Sequence, residues 1–227
     1  NFAVTGTVLV DSRLIAVDAA WKYEASGADL GAAWRVAGYN DAAWGSRAAL
    51  TNRTLPGLFN TGVGANGVVL ANGVSDPHYI LTAAAQGTVG TNALAILNNP
   101  GWLANNATSS FIGVVNPGAT SISEGSYNFQ TTFSLAGFIP STARININVA
   151  VDNELTNVFI NDAGSGLSTS GFAAFNPTLV LTNGFVGGVN TLEFRTVNQG
   201  ASPGGFRATL SGTGLAANIN SPLPLGR

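Results

Sequence analysis

Between residues 143 and 151 the chain reads "ARININVAV". Ile145, Ile147, Val149 and Val151 fall on one side of an extended backbone, Asn146 and Asn148 on the other. Strict alternation of this kind marks a half-buried strand, because successive side chains of a strand point to opposite faces. Asp152-Asn153-Glu154 breaks the run, residues 155–160 resume it, and Asn161-Asp162 followed by Gly164 supply the next turn, the residue chemistry of a hairpin. Residues 127–135 alternate in the same way through Tyr127, Phe129, Thr131, Phe133 and Leu135. Further runs at 177–182, 189–197 and 205–212 are each bounded by Gly, Asn or Pro, and "SDPHYILT" (75–82) opens another. Helical periodicity is nearly absent. Residues 28–36, interrupted by Gly31, and "WLANN" (102–106) predict single turns at most.

Many short strands separated by turn signals predict an all-β protein, a jelly-roll-type antiparallel β-sandwich. The sandwich is assigned to residues 74–214. Before it, residues 1–73 read as a strand-rich N-terminal extension or a partial jelly-roll-like segment. Two apolar runs, 2–10 and 14–17, flank Asp11-Ser12-Arg13, and a new segment begins at Trp21. The stretch 48–74 is loop-like, with Pro56, Gly57, Gly62, Gly64 and Gly67, and the internal boundary is placed at about 60–73. Residues 215–227 form a tail.

Charge changes this picture. Only 9% of residues are charged, against about 25% in an average soluble domain. Charged side chains, lysine above all, are how sheet proteins discourage edge-to-edge pairing. Lys22 is the single lysine. A sheet protein so poor in charge either closes its edges or uses them. A net charge of −2 with singly scattered arginines leaves no electrostatic footprint for nucleic acid. There is no cysteine, which excludes disulfides, thiolate metal sites and a cysteine nucleophile. There is no methionine either, and a chain starting Asn1-Phe2 is read as a processed, exported one. No apolar run approaches the ~20 residues of a membrane helix.

In order and spacing, "DPHYIL" (76–81), "WLANNATSSFIG" (102–113), "YNFQTTFSLAGFIPSTARI" (127–145), "VDNELTNVFIND" (151–162), "GFVGGVNTLEFRTVN" (184–198) and "GGFRATLSGT" (204–213) resemble a module of bacterial surface and secreted proteins. Those proteins carry an exosortase (PEP-CTERM) sorting tail, and the module is a galactose-binding-domain-like jelly roll. The resemblance covers roughly residues 74–214. It implies a cell-surface or extracellular location, a Pro that opens an edge strand in "DPHY", and tryptophans at the positions of Trp34 and Trp44 packed inside. "WKYEASGADLGAAWRVAGYNDAAW" (21–44) resembles the opening of a related module found beside secreted hydrolases. The aromatic strand that follows in such modules arrives here only at Tyr127. The end "NSPLPLGR" departs from a sorting tail, having neither Pro-Glu-Pro nor an apolar span.

Candidate sites follow from chemistry. His78, the one histidine, lies beside Asp76, but no Gly-x-Ser-x-Gly elbow or second histidine accompanies them, so strand-start roles are expected. Asp152, Asn153, Glu154 and Asp162 are the acidic group with hard-cation character, short of the six to eight oxygens calcium takes. Jelly rolls of the resembled type sometimes carry a structural calcium; otherwise no cofactor is implied. Trp21 and Trp102 are candidates for stacking sugar rings, with Tyr23, Tyr39, Tyr79 and Tyr127 as polar handles, and core packing is the competing reading. The sequons at Asn52 and Asn106 are formal glycosylation matches. Phe2, Val4, Val8 and Val10 have the spacing of a strand that pairs with its own sheet or completes a neighbour's. The sequence therefore predicts a non-enzymatic subunit of an extracellular assembly, a homopolymer joined by strand contacts. The alternative is a secreted carbohydrate-binding or adhesion module.

Overall fold

The computed structural model describes residues 21–23, 31–42, 44–47 and 51–217. It divides into two units, one comprising residues 1–52 and 216–227 and the other Arg53–Leu215. In the first, β1 (Trp21–Tyr23) pairs antiparallel with β2 (Gly45–Arg47). A single 3-10 turn spans Ala33–Arg35, and Lys22 pairs with Asp41 at 2.5 Å.

The remaining strands are β3 (Asn52–Thr54), β4 (Ser75–Ala84), β5 (Asn92–Ala95), β6 (Ile112–Gly113), β7 (Ser121–Ile122), β8 (Gly125–Ser134) and β9 (Arg144–Ile160). They continue as β10 (Ala163–Gly164), β11 (Thr169–Gly171), β12 (Leu179–Leu181), β13 (Val189–Asn198), β14 (Ser202–Pro203) and β15 (Gly205–Leu215). The expected alternation is present: along β13 every second residue from Asn190 to Asn198 is buried. The expected all-β, antiparallel jelly-roll-type sandwich is the fold observed.

One expectation fails in an informative way. Asp152-Asn153-Glu154 is not a turn, because β9 runs unbroken through it. Residues 144–152 pair with β15 and residues 154–160 pair with β13, the register shifting at Arg195/Thr196. The strand leaves one sheet there and enters the other, a corner of the kind that bulges make in sandwiches. The true turn is Asn161-Asp162, both with positive φ (49° and 65°), which joins β9 to β10 as a two-residue hairpin.

Since β9 belongs to both layers, the pairings β9–β13–β8–β4–β5–β6–β15–β9 close into a ring. One layer is β4, β8, β13 and the second half of β9. The other is β5, β6, β15 and the first half of β9, flanked by β12. Between them Phe206 of β15 meets Phe129 of β8 at 5.2 Å and Phe194 of β13 at 4.9 Å. Burying each such ring contributes about 1.5–3 kcal/mol, and their mutual contact adds to it. β4 is interior to the ring, not the edge strand that its Pro77 implied. Pro77 falls where the β4–β5 register is interrupted, between Ser75 and Ile80.

At Ala150, Gly205 and Arg207 the outer face of the second layer is covered, while Asn146, Thr209 and Ser211 further along it are half-buried or exposed. Trp102 and Phe111 (ring centroids 4.6 Å apart) pack with Ile96 on Ala150 of β9. A Cβ added to Gly205 of β15 would lie 2.7 Å from the indole, so the ring rests directly on the strand. No helical turn forms at 102–106. Asn105 instead ties the segment down, donating to the Ile96 carbonyl (2.9 Å) and accepting from the Phe111 amide (2.9 Å). Beneath this roof Arg207 is fully buried. Its Nε donates to Ser109 Oγ (2.9 Å), its Nη1 to the Ala104 carbonyl (2.6 Å), and its guanidinium faces the Phe175 ring at 5.0 Å. Burial lowers its pKa from the ordinary value.

Residues 53–73, grouped by sequence with the N-terminal segment, lie in the second unit with the sandwich strands. Their physical role is to fill the gap where β6 and β15, joined by the single pair Phe206–Ile112, diverge. The Thr61 amide donates to the Ala208 carbonyl (3.0 Å), and the Ser110 amide donates to the Thr61 carbonyl (3.0 Å). Thr61 Oγ1 donates to the Ser110 carbonyl (2.7 Å) and accepts from the Ala208 amide (3.0 Å). Gly62, at φ +69°, is required next to it, since a Cβ there would lie 1.8 Å from Ser110 Oγ.

Thr61→Val keeps the shape but leaves the buried Ala208 amide without its acceptor. It is expected to lower the unfolding free energy in chemical denaturation by about 1–3 kcal/mol. Thr61→Ser, which loses only a methyl group, should cost about 0.8 kcal/mol. Equal stability of the two variants would remove the hydroxyl from this account.

Candidate functional site

The His78–Asp76 pair is structural. Asp76 is fully buried, and its two oxygens accept from the backbone amides of Gly62 (2.7 Å) and His78 (2.8 Å), fixing the 59–63 segment against β4. Burial outweighs these bonds and raises its pKa from the ordinary value. His78 stacks on Phe59 at 3.5 Å, nearly parallel, and its Nε2 is buried without a partner. Neither group is presented to a substrate.

The acidic group does not converge either. Asp152 Oδ2 accepts from Trp102 Nε1 (2.9 Å), Asn153 Oδ1 accepts from the Gln199 amide (2.7 Å), and Asp162 sits in the turn at the other end of the strand. Among the described residues no three metal-ligating side chains cluster. Trp102, the first candidate for glycan stacking, is 5% exposed and belongs to the roof, its indole covered by Phe111 and Phe172. Trp21 lies in β1, and its side chain, like those of Trp34 and Tyr23, is outside the described residues, as are Phe2, Val4, Val8 and Val10. Trp44 is half-buried beside Tyr39, 5.7 Å between centroids. Tyr79 and Tyr127 are buried and direct their hydroxyls to the carbonyls of Phe59 and Ser123. A cavity between the layers, lined by Tyr127, Asp152 and Asn198 among others, is about 10 Å³, room for about one water.

The outer face of the first layer carries the larger array of outward polar side chains. Register places its outward side chains in crosswise rows. One row is Ile80, Gln130, Glu193 and Phe159, on β4, β8, β13 and β9. The next is Asn128, Arg195 and Asn157, and beyond the first row lie Thr132 and Thr191. The alternate residues Leu81, Phe129, Phe194 and Val158 are buried, so the direction of these rows is fixed by the pleat. All members of the rows are half-buried or exposed.

Arg195 is held in place on this face. Its guanidinium lies over the Phe159 ring at 3.6 Å, and its Nε donates to Glu193 Oε1 at 2.5 Å. Glu193 Oε2 accepts from Thr82 Oγ1 (2.8 Å). Each oxygen of the carboxylate is thereby engaged, while the terminal nitrogens of Arg195 have no hydrogen-bond partner among the described residues. The amides of Asn128 and Gln130 likewise make no hydrogen bond within the described residues, and Asn157 uses only Oδ1, accepting from the Gly166 amide (2.9 Å). Chemically the face is a flat array of amide and guanidinium donors and acceptors, with one aromatic ring and no net charge between Arg195 and Glu193. It contains no paired nucleophile and base. None of these residues stood out in the sequence. Alternation in "YNFQTTF" and "LEFRTVN" turns Asn128, Gln130, Glu193 and Arg195 outward, but only strand order makes them neighbours.

The Asp152–Trp102 bond yields a sharp comparison. Burial raises the pKa of Asp152 above its ordinary 3.8, with the indole bond opposing. Its contribution to stability is therefore full below that ordinary value and is lost as pH rises through the folded pKa. Asp152→Asn keeps an acceptor for Trp102 and removes the charge. Its melting temperature at pH 7 should equal or exceed the parent's, with a shallower decline from pH 4 to 7. Asp152→Ala orphans the buried indole N–H and should lose about 1–3 kcal/mol at any pH.

No family model matches the chain, and no curated protein matches it. Among solved structures it is similar to the CBM35 from Paenibacillus barcinonensis, at 11% identity over 70% of this chain and 97% of that one, with a TM-score of 0.27. The superposable backbone is too small a fraction for that likeness to bear on function.

Proposed function

We propose that this chain is an exported, non-catalytic binding module that takes a neutral, hydroxyl-rich glycan on the open face of β4, β8, β13 and β9. The observation that carries the reading is the set of hydrogen-bonding groups on this face that the fold itself leaves unused: the amides of Asn128 and Gln130, Asn157 Nδ2 and the terminal nitrogens of Arg195. Sugar hydroxyls both donate and accept, which suits an array mixing amide oxygens with N–H groups. Internal neutralisation of Arg195 by Glu193 favours an uncharged ligand over an acidic one. Arg195 and Phe159 are rigidified by their stacking, which reduces the ordering cost of binding. The resemblance to exosortase-sorted modules supports an extracellular or cell-surface setting.

The reading as a filament or sheath subunit rested in part on scarce charge, and that part weakens. Scarce charge demands that edges be closed or used, and here most long strands pair on both sides while β10, β11 and β12, which pair only with β9, are two or three residues long. The N-terminal run proposed for strand donation lies outside the described residues.

Gln130→Ala removes an amide that makes no intramolecular bond and is expected to weaken glycan binding about tenfold, close to 1.4 kcal/mol, in calorimetric titration. The melting temperature should stay unchanged. A glycan array on which the parent protein binds nothing would end the proposal.

A further inference from the structure

From the hydrogen-bonding groups left over around Arg195 we infer that the glycan is acylated, an N-acetyl or O-acetyl sugar recognised through its carbonyl oxygen. The inference rests on the glycan-binding reading above and specifies the ligand's chemical class. On β13 both oxygens of Glu193 are engaged, one by Arg195 Nε and the other by Thr82 Oγ1 (2.8 Å). The Glu193 side chain is only 13% exposed, against 43% for Arg195, so solvent meets chiefly the donor half of the pair. Asn157 of β9, the register partner of Arg195, repeats the pattern. Its Oδ1 accepts from the Gly166 amide (2.9 Å), a bond that a main-chain N–H can make only to the oxygen. The orientation of the Asn157 amide is thereby fixed, and Nδ2 is the atom left unused.

Guanidinium and amide nitrogens donate and do not accept. Arg195 and Asn157 therefore present donors alone, while Asn128, across from Arg195 on β8, is free to offer either end of its amide. A cluster of donors around a guanidinium would suit an anion, but Glu193 cancels the charge. The complement is then a strong acceptor that is neutral. A sugar hydroxyl brings a proton with each oxygen, and that proton needs an acceptor which Arg195 and Asn157 do not supply. An acyl carbonyl has two lone pairs and no proton. In an N-acetyl group the amide N–H can in turn donate to the oxygen of Asn128, whereas an O-acetyl ester has no such donor.

The test is calorimetric titration of the whole chain with pairs that differ in the acyl group. Chito-oligosaccharides of N-acetylglucosamine are set against cello-oligosaccharides of the same length, and O-acetylated xylo-oligosaccharides against the same material after de-esterification. The acylated member of at least one pair should bind about tenfold more tightly, the worth of a hydrogen bond from a charged donor. The first pair reports an amide carbonyl, the second an ester. Asn157→Asp keeps an oxygen to accept from Gly166 and replaces the donating nitrogen by a second acceptor. It should lower the ratio of acylated to unacylated affinity by about threefold or more, and Arg195→Gln should bring that ratio close to one. A variant that is merely destabilised loses both affinities alike and leaves the ratio where it was. Equal binding of both members in each pair, binding confined to unacylated glycans, or a ratio that neither variant moves would overturn the inference while leaving glycan binding intact. Absence of binding by every oligosaccharide and on the array would defeat the underlying reading itself.

Discussion

Everything in this sandwich depends on β9 being one strand and not two. Over residues 144–160 it gives its first half to β15 and its second to β13, and only that shared membership closes the ring of pairings. Were the chain to turn back at Asp152-Asn153-Glu154, each layer would end in an unpaired edge with few charges nearby to protect it. The corner is held by side chains at the same residues. Asp152 is bonded to the roof through Trp102, and Asn153 accepts from the amide of Gln199 in the loop after β13. The corner residues thus connect the roof to both layers.

Closure also explains how the composition is tolerated. A protein with 9% charged residues has little electrostatic means of keeping its edges apart. Here the main-chain groups are satisfied around the ring, and where pairing would fail, between β6 and β15, Thr61 supplies backbone and hydroxyl together. The scarcity of charge, read from sequence as a motive for assembly, is equally compatible with a sheet whose edge strands β10, β11 and β12 are only two or three residues long.

The alternation of apolar and polar residues made most strands legible, because period two is a local property. β8, β13 and β15 lie where their patterns put them. What local chemistry could not distinguish was a turn from a corner: Asp-Asn-Glu suits both, and the difference is set by which partner strand waits on each side. The same limit applies to 53–73. Its glycines and proline look like a linker, yet Thr61 and Asp76 tie it to β15 and β4 through contacts far apart in sequence. Trp102 illustrates a third limit. Its aromaticity allowed either a sugar platform or a core role, and only the glycine at 205, which lets the ring lie flat on the strand, decides for the core.

The two arginines that face phenylalanine rings occupy opposite environments. Arg207 is sealed beneath the roof, and the groups that serve it are a hydroxyl and main-chain carbonyls. Removing a cation from water in this way is costly, and the roof must stay closed to keep those carbonyls in reach. Arg195 is the reverse case. A carboxylate neutralises it, an aromatic ring orients it, and about 43% of its side chain remains open to solvent. A guanidinium fixed on one side and free on the other can form new hydrogen bonds without losing old ones. The same is true of Asn128 and Gln130 beside it. The proposed binding face is accordingly the one on which an oriented guanidinium and unused amides lie side by side.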